Sequence, residues 1–291
     1  MDIKNLDGVV LQALSLFSSQ RPPSVDFSGF RKPLVTGSVG AFGTARMLFS
    51  DRDAIFADES SLEQALNSHN DIDGAFLISA SGGKHAPGIA KILQKRKIPC
   101  ILLTCNPQAQ ASSLVSRTYV FPKQAEPYSY NTSTYLGMIL SKTRENPKKI
   151  LEHIRKLKIP QDLASYDAFF LMVPENFGLI REMLLIKFDE LFGPRVSGRA
   201  FTFEQAKHAK TIVQSEKELF ISFGEKDKLF GSKRLHIPLP RNAGYAAMMA
   251  VGYYVAGKIQ SQHPPYFKEG IEEYCRRASK IFGEKIEPIV G

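Results

Sequence analysis

The residues whose types and spacing suggest chemistry lie first in a short loop, Ser79-Ala80-Ser81-Gly82-Gly83-Lys84-His85. Serine hydroxyls and a lysine ammonium bind anions, and glycine lets backbone N–H groups approach a ligand closely. A helix that begins near His85 would add its first N–H groups to the same place. This stretch therefore predicts a cradle for a phosphate group.

Two further stretches have weaker signals. In Gly37-Ser38-Val39-Gly40-Ala41-Phe42-Gly43, the glycines let a dinucleotide pyrophosphate approach a helix start, with Asp58 placed for a ribose, or they only permit a tight turn. In Tyr130-Asn131-Thr132-Ser133-Thr134, hydroxyl side chains open a predicted helix, where serine and threonine are common N-caps. These alternatives stay open at this point.

The elements that position these loops follow from the hydrophobic pattern. From Pro33 onward, short apolar runs alternate with helical segments, which is typical of a parallel sheet covered on both faces. The predicted strands are 34–37, 54–58, 75–79, 100–105 and 118–121, and the predicted helices between them are 41–49, 61–67 and 88–95. Ligands bind beyond the carboxyl ends of such strands, where the first two loops fall.

The second half of the sequence repeats the alternation with fewer strands. A helical pattern spans 132–158 and is broken or kinked near Pro147, and 160–167 is a predicted linker. Strands are then predicted at 169–173, 219–223 and 234–239, and helices at 178–192, 243–260 and 268–282.

The order of these motifs resembles a known family. The Ser-x-Ser-Gly loop after the third strand, the strand end Leu102-Leu103-Thr104-Cys105-Asn106 and the helix start at Asn131 resemble the sugar isomerase (SIS) domain of phosphosugar-binding proteins over about residues 31–143. Ile186-Lys187-Phe188-Asp189-Glu190-Leu191 and Ala206-Lys207-His208 look like the Leu-Lys-x-x-Glu and Leu-Lys-His elements of double-SIS enzymes. Those enzymes include phosphosugar isomerases, the isomerase half of glucosamine-6-phosphate synthase and fructosamine-phosphate deglycases.

The resemblance implies a fold and a domain organisation. The expected fold is α/β, with two SIS-type, flavodoxin-like, three-layer αβα units that have parallel sheets. Compared with the family, a strand and a helix are expected to be missing between residues 223 and 234, so the second unit is abbreviated. The implied segments are an N-terminal helical segment at 1–30, a first SIS domain at 31–143, a helix and linker at 144–167, an abbreviated second SIS domain at 168–262 and a C-terminal helix at 263–291.

The resemblance also implies an activity, which is aldose–ketose isomerisation of a hexose phosphate or an amino-sugar phosphate by ring opening and proton transfer between C1 and C2. Glu190 is the expected base, with Asp189 as the alternative carboxylate. Lys187, three residues earlier on the same helix face, would keep the carboxylate charged, although the two also fit a plain surface ion pair. His208 is the expected ring-opening group, contributed by the same or a neighbouring subunit of a homodimer.

Phosphate binding would fall to Ser38, Ser79, Ser81 and Lys84, and contact with the sugar hydroxyls to Thr132 and Ser133. Each of these hydroxyls also fits a turn cap. Two other functions stay open, since the same residues serve an amino-sugar-phosphate deaminase or fructosamine-phosphate deglycase, and a phosphosugar-sensing protein without turnover.

Composition limits the partners. The 291 residues contain 38 basic and 29 acidic side chains, a formal net charge of +9, which favours an anionic partner. We see no nucleic-acid-binding motif and no apolar run of the roughly 18 residues that a membrane span needs, so we expect a cytoplasmic protein that binds neither nucleic acid nor membrane. Cys100, Cys105 and Cys275 lack metal-ligand or disulfide spacing, so neither a metal nor another cofactor is expected.

Overall fold

The computed structural model describes residues 3–208 and 213–291, and its chain forms two compact units. The five-stranded unit comprises Ser19–Gln124 and Asn131–Arg144. The four-stranded unit comprises the described parts of Met1–Ser18, Ala125–Tyr130 and Glu145–Gly291. The chain therefore enters the four-stranded unit three times, once for only six residues.

The structure assigns helices and strands along the whole sequence. The helices are α1 Leu6–Ser19, α2 Gly40–Leu48, α3 Leu62–Ser68, α4 His85–Lys95, α5 Thr132–Thr143, α6 Pro147–Ile154, α7 Ile180–Phe192, α8 Phe203–Ala206, α9 Tyr245–Gln262 and α10 Tyr266–Phe282. The strands are β1 Pro33–Thr36, β2 Ile55–Ala57, β3 Gly74–Ile78, β4 Cys100–Thr104, β5 Arg117–Val120, β6 Glu126–Pro127, β7 Ala168–Val173, β8 Ser197–Thr202, β9 Glu218–Phe223, β10 Lys233–Ile237 and β11 Ile289–Val290.

The sheet of the five-stranded unit has the order β2-β1-β3-β4-β5, and all its neighbouring strands are parallel. This is the flavodoxin-like order, whose direction reverses between β1 and β3. The reversal creates a crevice at the carboxyl ends of those two strands, where the loops after β1 and β3 begin. The five predicted strands are confirmed, and each end lies within one residue of its prediction.

The sheet of the four-stranded unit has the order β10-β9-β7-β8, again parallel throughout. Numbered along the chain, its strands repeat the first four positions of the other sheet, so the abbreviated second unit is confirmed. The predicted position of the missing strand and helix, between residues 223 and 234, is wrong in part. Residues 224–232 contain no helix, as expected, but β9 and β10 are direct neighbours. The missing strand would follow β10, where the chain instead leads to α9.

The helical pattern at 132–158 is broken into two helices, which is one of the two expected forms. Arg144 has a left-handed backbone conformation, φ 59°, which ends α5. The Asn146 side chain then accepts hydrogen bonds from the N–H groups of Lys148 and Lys149, and Pro147 occupies the first turn of α6. A left-handed residue followed by a capped proline start forces a break, whereas proline alone would only have bent the helix.

The N-terminal helix α1 packs on α9 within the four-stranded unit. The Leu6 N–H group donates to the Gln260 side chain at 2.8 Å, and Lys258 forms an ion pair with Asp7 at 2.9 Å. A Cβ atom at Gly257 would lie 1.9 Å from the Asp7 nitrogen, so the two backbones touch at this glycine. Among the helices that the structure describes, none is long and apolar enough to span a membrane.

Candidate functional site

The loop after β3 is shaped by its own serine hydroxyls. Ser79 Oγ accepts a hydrogen bond from the Gly82 N–H group at 3.1 Å, and Ser81 Oγ accepts one from the Gly83 N–H group at 3.2 Å. A hydroxyl that accepts in this way still has a proton to donate. The loop thus offers an anion two oriented hydroxyls, while the N–H groups of Gly82 and Gly83 are used in the turn itself.

The end of β4 and the residues after it hold this loop from the side. Thr104 Oγ1 donates to the Ala80 carbonyl at 3.1 Å, and the Asn106 side chain donates to the Ser81 carbonyl at 3.0 Å. Gly82 has φ +63°, and a Cβ atom there would lie 2.3 Å from the Ala109 Cβ. The loop is therefore a packed turn with one backbone shape, as a preorganised binding site requires.

The helices that follow β1 and β3 both begin with an unusual backbone conformation. Val39 precedes α2 with φ 47° and ψ −112°, and Lys84 precedes α4 with φ 53° and ψ −113°. Side chains other than glycine seldom adopt this region, and each such residue costs about 1–3 kcal/mol, typically at ligand-binding turns. Helix α4 begins at His85, three residues before the predicted start at residue 88, and Lys84 lies on its N-terminal side. Ser38 lies in the turn after the neighbouring strand β1.

Thr132 and Ser133 are buried at the start of α5. Ser133 Oγ accepts a hydrogen bond from the Gln124 N–H group at 3.3 Å, and Asn131 precedes the helix with a left-handed φ of 47°. The Ser133 hydroxyl thus joins the two points at which the chain leaves and re-enters the five-stranded unit. Contact of Thr132 and Ser133 with a sugar remains a proposal.

The candidate base Glu190 and its partner Lys187 lie on α7 of the four-stranded unit. The Lys187 ammonium donates to the Glu190 carboxylate and also to the Ser129 carbonyl, the latter at 2.7 Å. The Lys187 side chain is 3% exposed and that of Glu190 is 25% exposed. A plain surface pair would have both groups in water. Here the lysine is fixed inside the protein and only the carboxylate reaches solvent.

This environment changes the proton affinity of the carboxylate. Burial raises the pKa of Glu190, whereas the charge of Lys187 and hydrogen bonds from Lys187 and Ser129 lower it, and the net shift is upward. A carboxylate with a raised pKa is a stronger base than an exposed one. The ammonium beside it can also stabilise negative charge that develops on a bound molecule.

Tyrosine rings surround this pair. Tyr128 and Tyr274 pack with their ring centroids 6.0 Å apart, and the Lys187 ammonium lies 5.7 Å from the Tyr253 ring centroid. Burial raises the pKa of Tyr128 to about 12, and Cys275, Glu284 and Glu190 nearby act in the same direction. Tyr128 therefore stays protonated at neutral pH and can donate a hydrogen bond.

The other two candidate catalytic residues are Asp189, next to Glu190 on α7, and His208, just after α8. Asp189 is exposed, so its carboxylate lacks the burial of Glu190. His208 is exposed just after α8, beside the ion pair of Lys207 with Glu204. The structure does not bring the His208 side chain into the hydrogen-bond network of Glu190, Lys187 and Ser129.

Sequence reasoning missed three residues around Glu190. Ser129 accepts a hydrogen bond from Lys187 through its backbone carbonyl, which no side-chain pattern reveals, and a hydrogen bond from its side chain lowers the pKa of Glu190. Tyr253 and Tyr274 come from α9 and α10, which follow α7 by some 50 residues or more along the chain. Within the parts of the chain that the structure describes, no group of three or more His, Cys, Asp or Glu side chains is placed to hold a metal ion.

This architecture also occurs in solved structures of other proteins. No family model matches the sequence, and no curated protein matches it. Among solved structures, the C-terminal domain of glucosamine-fructose-6-phosphate aminotransferase from Francisella tularensis is similar with a TM-score of 0.63 and 11% identity, over 91% of this chain and 95% of that chain. Tagatose-6-phosphate ketose/aldose isomerase from Escherichia coli gives a TM-score of 0.60 and 11% identity over 88% and 90%.

Glucosamine-6-phosphate deaminase from Thermotoga maritima gives a TM-score of 0.59 and 14% identity, over 91% of this chain and 93% of that chain. The chain has the fold of these proteins. At such low identities the likeness shows the fold alone, and it confirms the expected architecture of parallel-sheet α/β units.

Proposed function

We propose that the protein binds a phosphorylated sugar through the loop after β3 and interconverts its aldose and ketose forms, with Glu190 as the base. The observation that carries the proposal is the buried lysine beside a partly exposed carboxylate of raised pKa. A fixed ammonium and a basic carboxylate suit a reaction that moves a proton between two carbons and creates negative charge on oxygen. Several solved structures with this fold have names that specify isomerases or deaminases of sugar phosphates.

Each residue then has a distinct role. Ser79, Ser81 and Lys84 bind the phosphate, together with Ser38 of the loop after β1. Glu190 removes the proton from the carbon beside the carbonyl and returns it to the neighbouring carbon, while Lys187 stabilises the enediolate oxygen. Thr132 and Ser133 contact the sugar hydroxyls, and His208 opens the ring.

The first experiment separates binding from chemistry. The purified protein is incubated in D₂O with fructose 6-phosphate, glucosamine 6-phosphate or a fructosamine phosphate, and products are analysed for aldose, deuterium at C2 and released ammonia or amine. We expect aldose that contains deuterium. Glu190→Gln should lose about 10²-fold or more of this turnover and retain ligand-induced thermal stabilisation. Asp189→Asn, the matched exposed neighbour, should retain both.

The other outcomes of this experiment have defined meanings. Released ammonia or amine would replace isomerisation by deamination or deglycation. Thermal stabilisation by a sugar phosphate without any turnover would leave a phosphosugar-sensing protein. Loss of turnover in Asp189→Asn but not in Glu190→Gln would show that the base is misassigned.

The proposed role of His208 includes a homodimer in which this residue acts in the partner's site. Mixing the inactive variants His208→Ala and Glu190→Gln tests this arrangement. If the sites are shared, random mixing restores about a quarter of them, because half of the dimers contain one site with both residues intact. If each chain supplies its own His208, the mixture stays inactive.

A further inference from the structure

Segment 125–130 departs from the unit of its sequence neighbours. Residues on both sides belong to the five-stranded unit, whereas Ala125–Tyr130 belongs to the four-stranded unit. Six residues cannot form a core of their own, so contacts with other parts of the four-stranded unit must fix their position. Those contacts come from two other parts of the four-stranded unit.

One set comes from residues 266–291, here named the C-terminal extension, which comprises α10 and the tail after it. The Phe267 ring packs on Tyr130 with centroids 4.9 Å apart, and Tyr274 packs on Tyr128. Strand β11 pairs antiparallel with β6. The Tyr128 N–H group donates to the Pro288 carbonyl at 2.8 Å. Two ring contacts, a strand pair and a hydrogen bond thus join the extension to this short segment.

The other contact comes from Lys187 on α7. Its ammonium donates to the Ser129 carbonyl at 2.7 Å and to the Glu190 carboxylate. Ser129 has a φ of 77°, in the left-handed region, so the direction of its carbonyl depends on the strained turn around it. If the turn relaxes, the lysine loses the acceptor that orients it.

We infer that the C-terminal extension is a clamp that positions segment 125–130 so that the Ser129 carbonyl holds Lys187 against Glu190. Phe267 and the residues of β11 are therefore positioning residues that act on the carboxylate through Ser129 and Lys187. The consequence for turnover rests on the function proposed above. The clamp itself rests only on the contacts within the four-stranded unit.

The groups around Glu190 determine whether loosening the clamp raises or lowers the pKa of this carboxyl group. These groups are Lys187 and Asp189 on α7, Tyr128 and Tyr130 in segment 125–130, and Tyr274 on α10, with Cys275 and Glu284 beside Tyr128 and Tyr253 beside Lys187. Lys187 is the one cation of this set. Loosening the clamp weakens its pairing with Glu190, so burial then acts with less opposition and the carboxylate takes up a proton at a higher pH.

The test compares two truncations of the full chain. Ending the chain after Glu287 removes Pro288 and β11, whereas ending it after Val290 removes only Gly291 and keeps the strand pair. A ¹³C NMR titration of the Glu190 carboxyl group, assigned by loss of its signal in Glu190→Gln, measures the result without any substrate. We expect the titration midpoint to rise by roughly half a pH unit or more in the longer truncation, which ends after Glu287. The midpoint should stay unchanged in the shorter truncation, which ends after Val290.

A conservative variant and a second substitution guard against a simple folding defect. Exchanging the two strand residues, Ile289→Val with Val290→Ile, keeps the backbone pairing and should keep the wild-type midpoint. Phe267→Leu loses the ring contact with Tyr130 and should raise the midpoint, whereas Phe282→Leu, an exposed position on the same helix, should not. Equal midpoints in the wild type, the longer truncation and Phe267→Leu would overturn the clamp.

Turnover gives a second readout of the same variants. With an active wild type, the acid limb of the pH–rate profile should move upward in the longer truncation and in Phe267→Leu, with little change in KM. Absence of turnover in the wild type would count against the proposed function alone, because the NMR titration still decides on the clamp.

Discussion

Two ion pairs with the same sequence spacing show how the burial of an ion pair depends on its surroundings. Lys187 and Glu190 are three residues apart on α7, with side chains 3% and 25% exposed, whereas Glu204 and Lys207 have the same spacing and are 63% and 50% exposed. An exposed pair of this kind contributes at most about 1 kcal/mol. A buried pair costs desolvation energy that its attraction repays only with good geometry. The sequence predicts the spacing in both cases and cannot distinguish the environments.

Lys187→Met tests the effect of the ammonium on its partner. Because Lys187 lowers the pKa of Glu190 against the effect of burial, its removal should raise that pKa further. The proposed base needs the ionised form, so the acid limb of the pH–rate profile should move up by about one pH unit. Lys207→Met removes the matched exposed lysine and should leave the profile in place.

The same substitution makes a prediction about stability that needs no substrate. In Lys187→Met the folded state binds the Glu190 proton more tightly than the unfolded chain does. The free energy of unfolding should therefore fall as pH rises from about 5 to 7, relative to the wild type. Urea unfolding at both pH values measures this change. A difference from wild type that does not vary with pH would contradict the assigned coupling.

The loop after β3 offers a second test at single residues. Gly82 and Gly283 have similar backbones, φ +63° and +65°, but only Gly82 has a neighbour, the Ala109 Cβ, that an added methyl group would strike. Gly283→Ala should cost about 1 kcal/mol for the left-handed conformation alone. Gly82→Ala should cost about 1–3 kcal/mol more from overpacking. Equal losses in urea unfolding would show that the loop is less tightly packed than the structure has it.

At the scale of elements, the sequence predicted the strands that have a clear hydrophobic pattern and missed the shortest strands, which have none. The three central strands of the first sheet, β1, β3 and β4, are runs of mostly apolar and mostly buried residues, so their pattern is clear. Strands β6 and β11 have two residues each, too few for any period, and they form only because distant parts of the chain meet. The loop after β3 is one contiguous stretch whose position could be predicted, whereas the surroundings of Glu190 come from separate elements and could not.

The contact between α1 and α9 gives a prediction at this scale. A Cβ atom at Gly257 would lie 1.9 Å from the Asp7 backbone nitrogen, so Gly257→Ala must push the helices apart. We expect a loss of about 1–3 kcal/mol in the free energy of unfolding. Gly270→Ala is the matched control, because nothing lies within 4 Å of the added methyl group on α10. This variant should gain about 0.5–1 kcal/mol from its better helix propensity.

At the scale of the whole molecule, the chain path is interleaved. The four-stranded unit takes α1 from the beginning of the chain and six residues from the middle, and the rest from 145 onward. The hydrophobic pattern identifies α1 as an amphipathic helix but does not say which core its apolar face joins. That choice depends on the backbone contact at Gly257 and on the hydrogen bond from Leu6 to Gln260, which are visible only in three dimensions.

This path predicts unequal behaviour of two fragments. Residues 19–144 contain the whole five-stranded unit and should fold alone, with cooperative unfolding measured by circular dichroism. Residues 145–291 lack α1, whose apolar residues are buried, and lack the acceptor carbonyl of Ser129 for the buried Lys187. We expect this second fragment to aggregate or to unfold without cooperativity, because it exposes an apolar helix face and leaves a buried charge without one of its partners.

Joining residues 1–19 to the N-terminus of this second fragment through a flexible glycine-serine linker should restore part of the cooperativity. Cooperative unfolding of residues 145–291 alone, at wild-type stability, would contradict the structural importance of α1.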